Sequence, residues 1–211
     1  MKQVLPILAD IANGIFAVAL ASWLTNTEVL WWYFLIGIPL AMLPDLDALP
    51  ELYRRGKVAS SAEHPEDHRD GLHFPIVFIL VGLMIYYFTP FWGTLFLLAT
   101  LLHFVNDVYG TGWGVALLWP LTNTKFKFMS RRVNRLKSFL REDGDWVSIS
   151  NNERRWRPVV AWREEELPSY IKRWGVENWI DRCYCRLTWI SGVEYALFAV
   201  SLMILIYILI F

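Results

Sequence analysis

The sequence predicts an all-α fold: a multi-pass bundle of about five transmembrane helices, joined to a cytoplasmic segment of helical and irregular structure. Hydrophobic residues make up 55% of the chain, with 12 Trp, 13 Phe and 9 Tyr, and this apolar share is too high for an ordinary soluble domain. Charged residues still make up 19%, but nearly all of them lie in residues 51–70 and 125–186. The remaining sequence therefore consists of long apolar runs, which are typical of membrane spans.

Five apolar runs approach the ~20 residues that a helix needs to cross the hydrocarbon core of a bilayer. The first covers residues 4–24, and the second covers about 29–49 and begins with an aromatic cluster typical of a membrane interface. The run 71–107 is interrupted at Thr89-Pro90. Because proline disfavours a helical residue before it, this run predicts a hairpin of two helices of roughly 18 residues each. The fifth run covers residues 192–211.

These runs divide the chain into three regions. Residues 1–120 are predicted to form a membrane domain of four spans, including the hairpin 71–107. Residues 121–190 form a cytoplasmic segment rich in basic residues and tryptophan. Residues 191–211 form a last transmembrane helix.

Basic residues near the span ends predict the orientation, because Lys and Arg are retained on the cytoplasmic side of a membrane. All 20 lie at the N-terminus, in the 50–73 loop or in the 108–191 segment. We therefore expect the N-terminus and both long loops to face the cytoplasm. A cleavable signal peptide over residues 1–21 is the alternative for the first run, but Asp10 would interrupt its apolar region.

The four histidines of the chain lie between positions 64 and 103, on the predicted cytoplasmic side. Five aspartates accompany them at the ends of the second and fourth spans and in the loop between. Imidazole and carboxylate groups together bind zinc, manganese or iron in proteins, so this grouping predicts a metal site. The histidines are His64, His68, His73 and His103, and the aspartates are Asp45, Asp47, Asp67, Asp70 and Asp107.

The hairpin fixes the relative height of three of these residues. Counted from its turn, His73 lies about 16 residues along one arm, and His103 and Asp107 lie about 13 and 17 along the other, at ~1.5 Å of rise per residue. His103 and Asp107 are also four residues apart, so they share a helix face. We expect these three side chains to converge.

The remaining candidate ligands can reach the same site only if the backbone around them is irregular. Asp45 and Asp47 could not both face one ion on a regular helix, but Pro44 and Pro50 bracket them and predict an irregular mouth. His68 must reach His73 through a turn, for which Gly71 provides the freedom. A hydrogen-bonded structural role is an equal alternative for His64. Asp10 either faces the same cavity or makes a polar contact with another helix.

Three ordered blocks carry a resemblance to a known family: LPDLD at 43–47, HRDGLH at 68–73, and HFVND at 103–107 followed by GVALLWP up to residue 120. They resemble the inner-membrane-associated metal-dependent hydrolases called YdjM-like or LexA-regulated. The chain departs from the family pattern at Ala48, Asp70 and Phe74, where the family usually has His, Gly and Ser. Asp10 stands where the family often has a histidine before a glycine.

The resemblance implies an inner-membrane metal-dependent hydrolase holding one to three divalent ions, zinc first, with manganese or iron as alternatives. The ions would activate water for attack on an ester. Because the site lies at the cytoplasmic lipid boundary, we expect a lipid phosphoester or phosphoanhydride as substrate. Arg69 is the candidate phosphate clamp, and Asp70 the candidate general base. The candidate metal ligands are Asp45, Asp47, His68, His73, His103 and Asp107, with Asp10 and His64 as further candidates.

Residues 125–141 carry seven basic residues and no acidic one. Met129, Val133, Leu136 and Leu140 recur at helical spacing, which predicts an amphipathic helix on the anionic headgroups of the membrane. The equal alternative is a helix packed in a core with a solvated basic face. Nucleic-acid binding by this segment is the least favoured interpretation.

Two further function classes are open. A non-catalytic membrane protein could use the metal as a structural or regulatory element and act through its cytoplasmic segment. A metal transporter would need ligands near the bilayer midplane, which the predicted topology does not provide. The chain has only two cysteines, Cys183 and Cys185, so a disulfide framework is excluded. Reduced thiols are favoured over palmitoylation for both.

Overall fold

The computed structural model describes residues 2–64, 69 and 71–210. Within this part of the chain, ten α-helices and two β-strands alternate with short 3₁₀ segments. The helices are α1 (Ile7–Thr25), α2 (Trp32–Ala41), α3 (Leu49–Arg55), α4 (Pro75–Phe88), α5 (Pro90–Tyr109), α6 (Lys137–Glu142), α7 (Asn151–Arg154), α8 (Leu167–Trp174), α9 (Trp179–Cys183) and α10 (Trp189–Ile210). The strands are β1 (Lys125–Ser130) and β2 (Arg157–Trp162), and the 3₁₀ segments are Lys2–Val4 and Leu43–Ala48.

Among the described residues, three helices are long and apolar enough to cross a membrane, namely α1, α5 and α10. The pair Trp32–Ala41 and Leu43–Arg55, bent by 55°, raises the number to four if it forms one broken span. The prediction of about five spans is therefore not confirmed. The first arm of the predicted hairpin corresponds to α4, which is only 14 residues long. It is shorter than predicted because the helix begins at Pro75 and residues 71–74 are not helical.

The apolar helices pack around α1, whose inner face contacts α2, α5 and α10. Gly14 of α1 allows the closest of these contacts, because a Cβ atom there would lie 2.5 Å from the Cα atom of Ile38. The core between α1, α2 and α5 contains Ile15, Ala17, Val18, Ala21, Tyr33, Phe34, Ala41, Phe91, Leu95 and Ala99. Large apolar side chains on the outside of α4 and α10, such as Tyr87 and Met203, are exposed, as expected for surfaces that face lipid.

The hairpin 71–107 breaks at the predicted position. Thr89 has an extended backbone (φ −145°, ψ 93°) and separates α4 from α5. The LPDLDA sequence after α2 forms the 3₁₀ segment Leu43–Ala48 and not a regular helix, as the flanking prolines predict. This irregular mouth brings two aspartates to the end of α5.

A second core lies outside the apolar bundle. It is built on the antiparallel pair β1–β2, in which Lys125 pairs with Trp162 and Ser130 with Arg157. The buried side chains of this core are Trp113, Val133, Leu140, Ile149, Val160, Trp162, Leu167, Ile171 and Trp174. We call residues 110–188, which contain this core, the polar segment.

The prediction of an amphipathic helix over residues 125–141 is wrong. Its first six residues form β1, and Val133 and Leu140 are fully buried in the second core. Alternating Phe126 and Phe128 favour a strand, and a partner strand with two adjacent valines is available later in the chain. The fold is thus mostly helical with a small two-stranded sheet, and not all-α.

Candidate metal centre

Four side chains from the apolar helices and the segments next to them meet near the C-terminal end of α5. The Nε2 atom of His73 lies 3.2 Å from Oδ2 of Asp107 and 3.4 Å from Oδ1 of Asp45. The Nε2 atom of His103 lies 3.2 Å from the same Asp107 oxygen and 3.5 Å from the same Asp45 oxygen. We call these four residues the His-Asp cluster. The convergence of His73, His103 and Asp107 predicted from the hairpin register is confirmed.

Each member of the cluster is fixed by its position in the chain. His103 and Asp107 lie one turn apart on α5, so their side chains point in the same direction. His73 lies just before α4, whose first residue is Pro75. Asp45 lies in the 3₁₀ segment that follows α2. The hairpin therefore positions His73, His103 and Asp107, and the broken span positions Asp45 beside them.

The geometry of the cluster fits a divalent cation. Donor atoms around a tetrahedral zinc ion, at bond lengths of roughly 2.0–2.1 Å, are separated by roughly 3.3–3.4 Å. The four nitrogen–oxygen distances in the cluster are 3.2–3.5 Å. Nε2 of His103 and Oδ2 of Asp107 are buried without a hydrogen bond to any described residue. One ring nitrogen each of His73 and His103 and a carboxylate oxygen of Asp45 lie within 4.8 Å of one another, and Oδ2 of Asp107 lies beside both Nε2 atoms. Imidazole nitrogens and carboxylate oxygens suit zinc.

Two further carboxylates lie behind the histidines. Oδ1 of Asp10, in α1, is 2.8 Å from Nδ1 of His103. Oδ2 of Asp47 is 3.0 Å from Nδ1 of His73 and also accepts a hydrogen bond from the backbone N–H of Leu72. A carboxylate at Nδ1 fixes the tautomer and ring orientation of a histidine whose Nε2 binds a metal. Of the two alternatives for Asp10, the structure has it facing this site.

Arg69 contributes a positive charge that contacts the cluster. Its Nη2 atom donates to Oδ1 of Asp107 at 2.5 Å, and its side chain is 11% exposed. The guanidinium lies against Gly112, where a Cβ atom would be 0.9 Å from Nη1. Residue 112 must therefore be glycine for Arg69 to occupy this position.

His64, the most doubtful of the candidate ligands, is not brought to the cluster. His64 lies in a separate group with Glu63 and Glu177, and its Nδ1 atom is 3.7 Å from Oε1 of Glu177. That carboxylate is already ion-paired with Lys57 and Arg55, so the group is a surface ion-pair network. The predictions for Asp67, His68 and Asp70 fall outside the described residues.

A cavity of about 410 Å³ lies between the cluster and the polar segment. The cluster is accessible from the cavity at Asp45, whose side chain is 40% exposed. The cavity lining includes Asp10, Asp45, His103 and Asp107, and also Lys127, Arg131 and Asn134 from the polar segment.

Sequence reasoning missed one acidic residue of this cavity. Glu194 lines the cavity and is 2% exposed, and its Oε2 atom has no hydrogen bond to any described residue. An acidic residue inside an apolar run of the length of α10 is costly in lipid. The presence of Glu194 inside this apolar run was therefore the signal in the sequence for a buried acidic residue.

Comparison with known proteins gives one positive result. A family model described as "YdjM inner membrane protein" matches residues 7–165, which is more than half of the chain. The match contains every member of the His-Asp cluster together with Asp10 and Asp47, and it ends before α8. No curated protein and no solved structure matches the chain.

Proposed function

The chain belongs to the YdjM inner membrane protein family, and we propose that it is a membrane-embedded, metal-dependent hydrolase. Its reaction is hydrolysis of a phosphoester bond in a lipid-linked substrate at the cytoplasmic face of the inner membrane. The observation that carries the proposal is the His-Asp cluster, in which two histidines and two carboxylates converge at metal-site distances beside a cavity.

The cluster residues His73, His103, Asp45 and Asp107 would hold the cation. A divalent cation there supplies Lewis-acid activation of water and of a phosphoryl oxygen. Asp10 and Asp47 orient the two imidazole rings through their Nδ1 atoms. These carboxylates also increase the basicity of the histidine ligands.

Arg69 has two tasks in this proposal. Its bond to Asp107 compensates one buried carboxylate and keeps Oδ2 of that residue directed at the cation. Its side chain also lines the cavity, and a planar guanidinium is suited to bind phosphate oxygens. The same side chain can thus position a ligand and bind the substrate.

The apolar part of the cavity supports a lipid-linked substrate. Its lining includes Ile7 at the start of α1 and Met42, Leu49 and Leu52 around the broken span. Leu49 and Leu52 are 53% and 39% exposed. An acyl or prenyl chain could leave the cavity along these residues into the bilayer while the phosphate remains at the His-Asp cluster.

The test combines metal content with activity. Purified wild-type protein should carry a stoichiometric divalent metal and hydrolyse at least one substrate in a set of phospholipids and isoprenoid phosphates. Asp45→Ala and His103→Ala should lose both properties. His64→Ala is the matched control, because His64 lies outside the His-Asp cluster, and it should retain both. Wild-type protein without metal after mild purification would refute the proposal.

A second candidate is a non-catalytic protein with a structural or regulatory metal. The number of donors favours it if Asp107 binds the ion together with Asp45, His73 and His103, because four protein ligands complete the tetrahedral shell typical of structural zinc, whereas catalytic sites keep a position open. Under this alternative, His103→Ala loses the metal and thermal stability, but wild-type protein hydrolyses no phosphoester. The exposure of Asp45 to the cavity favours the hydrolase, because an exchangeable carboxylate ligand can open a position for water.

A further inference from the structure

The polar segment contributes to the cavity wall through β1 and the turn after it. Lys127 is 3% exposed, and its Nζ atom donates to the carbonyl oxygen of Gly112 at 2.5 Å. The side-chain amide of Asn134 donates to the same carbonyl at 3.1 Å. Because Arg69 lies against the Cα atom of Gly112, the wall is continuous with the cluster through Arg69 and Asp107.

The arginines that line the cavity differ in their partners. Arg182 makes two hydrogen bonds to Asp143, at 2.6 and 2.9 Å. Arg135 is ion-paired with Asp143 and with Asp145. Their charges are therefore neutralised within the polar segment.

Arg131 lacks such a partner. Its Nε atom donates to the backbone carbonyl of Arg154 at 2.9 Å, and no carboxylate of the described residues forms an ion pair with it. Burial lowers the pKa of the Arg131 guanidinium, and no acidic neighbour opposes this effect. A partly buried cation without a counter-charge is costly. An anionic ligand in the cavity would remove that cost.

The charged residues that line the cavity indicate where the negative groups of such a ligand would bind. The cavity lining includes Asp10, Asp45 and Asp107, which repel an anion unless a cation is bound, and it also includes Lys127 and Arg131. A molecule with two negative groups therefore has two favourable positions, one at the His-Asp cluster when a cation is bound there and one at Arg131.

We propose that Arg131, with Lys127 and Asn134 beside it, is a subsite for a second phosphate group of the bound molecule. The preferred ligand is then an amphiphile that carries a diphosphate, and not one with a single phosphodiester. The assignment of this ligand as substrate depends on the proposed hydrolase function. The existence of the anion subsite does not.

Binding should be measured by titration calorimetry on the purified full chain. The probe is methylenediphosphonate, a diphosphate analogue with a P–C–P bridge that hydrolysis does not cleave. Charge-assisted hydrogen bonds are strong enough that Arg131→Gln should weaken binding at least about tenfold. The affinity of Arg131→Lys for methylenediphosphonate should lie between those of wild-type protein and Arg131→Gln, because lysine keeps the charge without the planar donor geometry of arginine. Arg141→Gln is the control, because Arg141 is exposed and does not line the cavity.

Metal content and melting temperature of each variant separate loss of the subsite from loss of the fold. Arg131→Gln should retain both at the wild-type level. A prenyl diphosphate in mixed micelles identifies the source of the phosphate: tighter binding than methylenediphosphonate indicates a lipid headgroup, and equal binding indicates a soluble diphosphate. Both results support the subsite.

The two proposals fail separately. Unchanged methylenediphosphonate affinity in Arg131→Gln, or no binding by wild-type protein, overturns the subsite whatever the enzyme activity. Wild-type protein that binds the analogue through Arg131 but hydrolyses no phosphoester retains the subsite and refutes the hydrolase.

Discussion

The Nδ1 atom of His103 lies 2.8 Å from the Oδ1 atom of Asp10, which precedes it by 93 residues. Both side chains are buried. This contact connects α1 to α5 at the His-Asp cluster and directs Nε2 of His103 toward Asp45 and Asp107. The first apolar helix therefore takes part in the site as well as in the packing of the bundle.

Replacement of Asp10 tests this relationship. Asp10→Asn keeps the size of the side chain but removes the charge that orients His103 and increases its basicity, so zinc affinity should fall by about 10–100-fold. Competition with a fluorescent zinc chelator measures the change. Ser22→Ala is the matched control, because Ser22 is also buried in α1 but lies toward its other end. Equal zinc affinity in Asp10→Asn and wild-type protein would contradict this role.

Gly112→Ala should displace Arg69 from Asp107. The added Cβ atom would lie 0.9 Å from Nη1 of Arg69, so the guanidinium must move and Asp107 loses its partner. We expect lower hydrolysis and weaker zinc binding in Gly112→Ala, similar to those of Arg69→Ala. Because both changes remove one interaction, the double variant should resemble the single variants, whereas independent effects would add. Gly192→Ala is the control, since its Cβ would meet Leu187 only at 3.9 Å.

The contact between the 55–64 loop and the polar segment should depend on pH through Glu177. Burial raises the pKa of this carboxyl, but hydrogen bonds and charges from Lys57, Ser61 and Arg55 lower it overall. A carboxyl with a lowered pKa in the folded state contributes stability above its unfolded pKa and loses it as the pH falls through the folded pKa. The stabilisation should therefore be complete at neutral pH and decrease below about 4.5, the ordinary value.

Hydrogen exchange at the backbone amides of residues 58–61 measures this effect. Wild-type protein should lose protection as the pH falls below that value, after correction for the intrinsic exchange rate. Glu177→Gln should have lower protection at neutral pH and little additional change with acid. Equal pH profiles for the two proteins would show that other groups control the contact.

The sequence predicts the convergence of His73, His103 and Asp107 because their register depends on a local feature, the break at Thr89-Pro90. It does not distinguish a metal ligand from a residue behind a ligand. That difference depends on which ring nitrogen a carboxylate faces: Asp45 lies toward Nε2 of His73, whereas Asp47 lies at Nδ1. The two aspartates are equivalent in the sequence and become different only in the folded backbone.

The second core was less predictable. The helical spacing of Met129, Val133 and Leu140 is real, but β1 ends at Ser130, and its partner β2 lies beyond α6 and α7. The alternation of Phe126 and Phe128 favours a strand, but it does not identify the distant segment that pairs with this strand. For the same reason, the sequence does not indicate that Lys127 and Arg131 face the cavity.

Trp162 should control whether the polar segment keeps its residues in the cavity lining beside the His-Asp cluster. Its side chain is fully buried, stacks edge-on against Trp113 at 5.4 Å between ring centroids, and donates from Nε1 to the carbonyl oxygen of Arg132 at 3.1 Å. Trp162→Ala should reduce the free energy of unfolding of this segment by about 3–5 kcal/mol. Limited proteolysis with increasing urea should then cleave residues 110–188 at lower urea than in wild-type protein, and Trp162→Phe should lie between them. Because the cluster ligands lie in the membrane part, zinc content should persist in Trp162→Ala while methylenediphosphonate binding falls. Loss of both together would mean that the polar segment and the cluster fold as one unit.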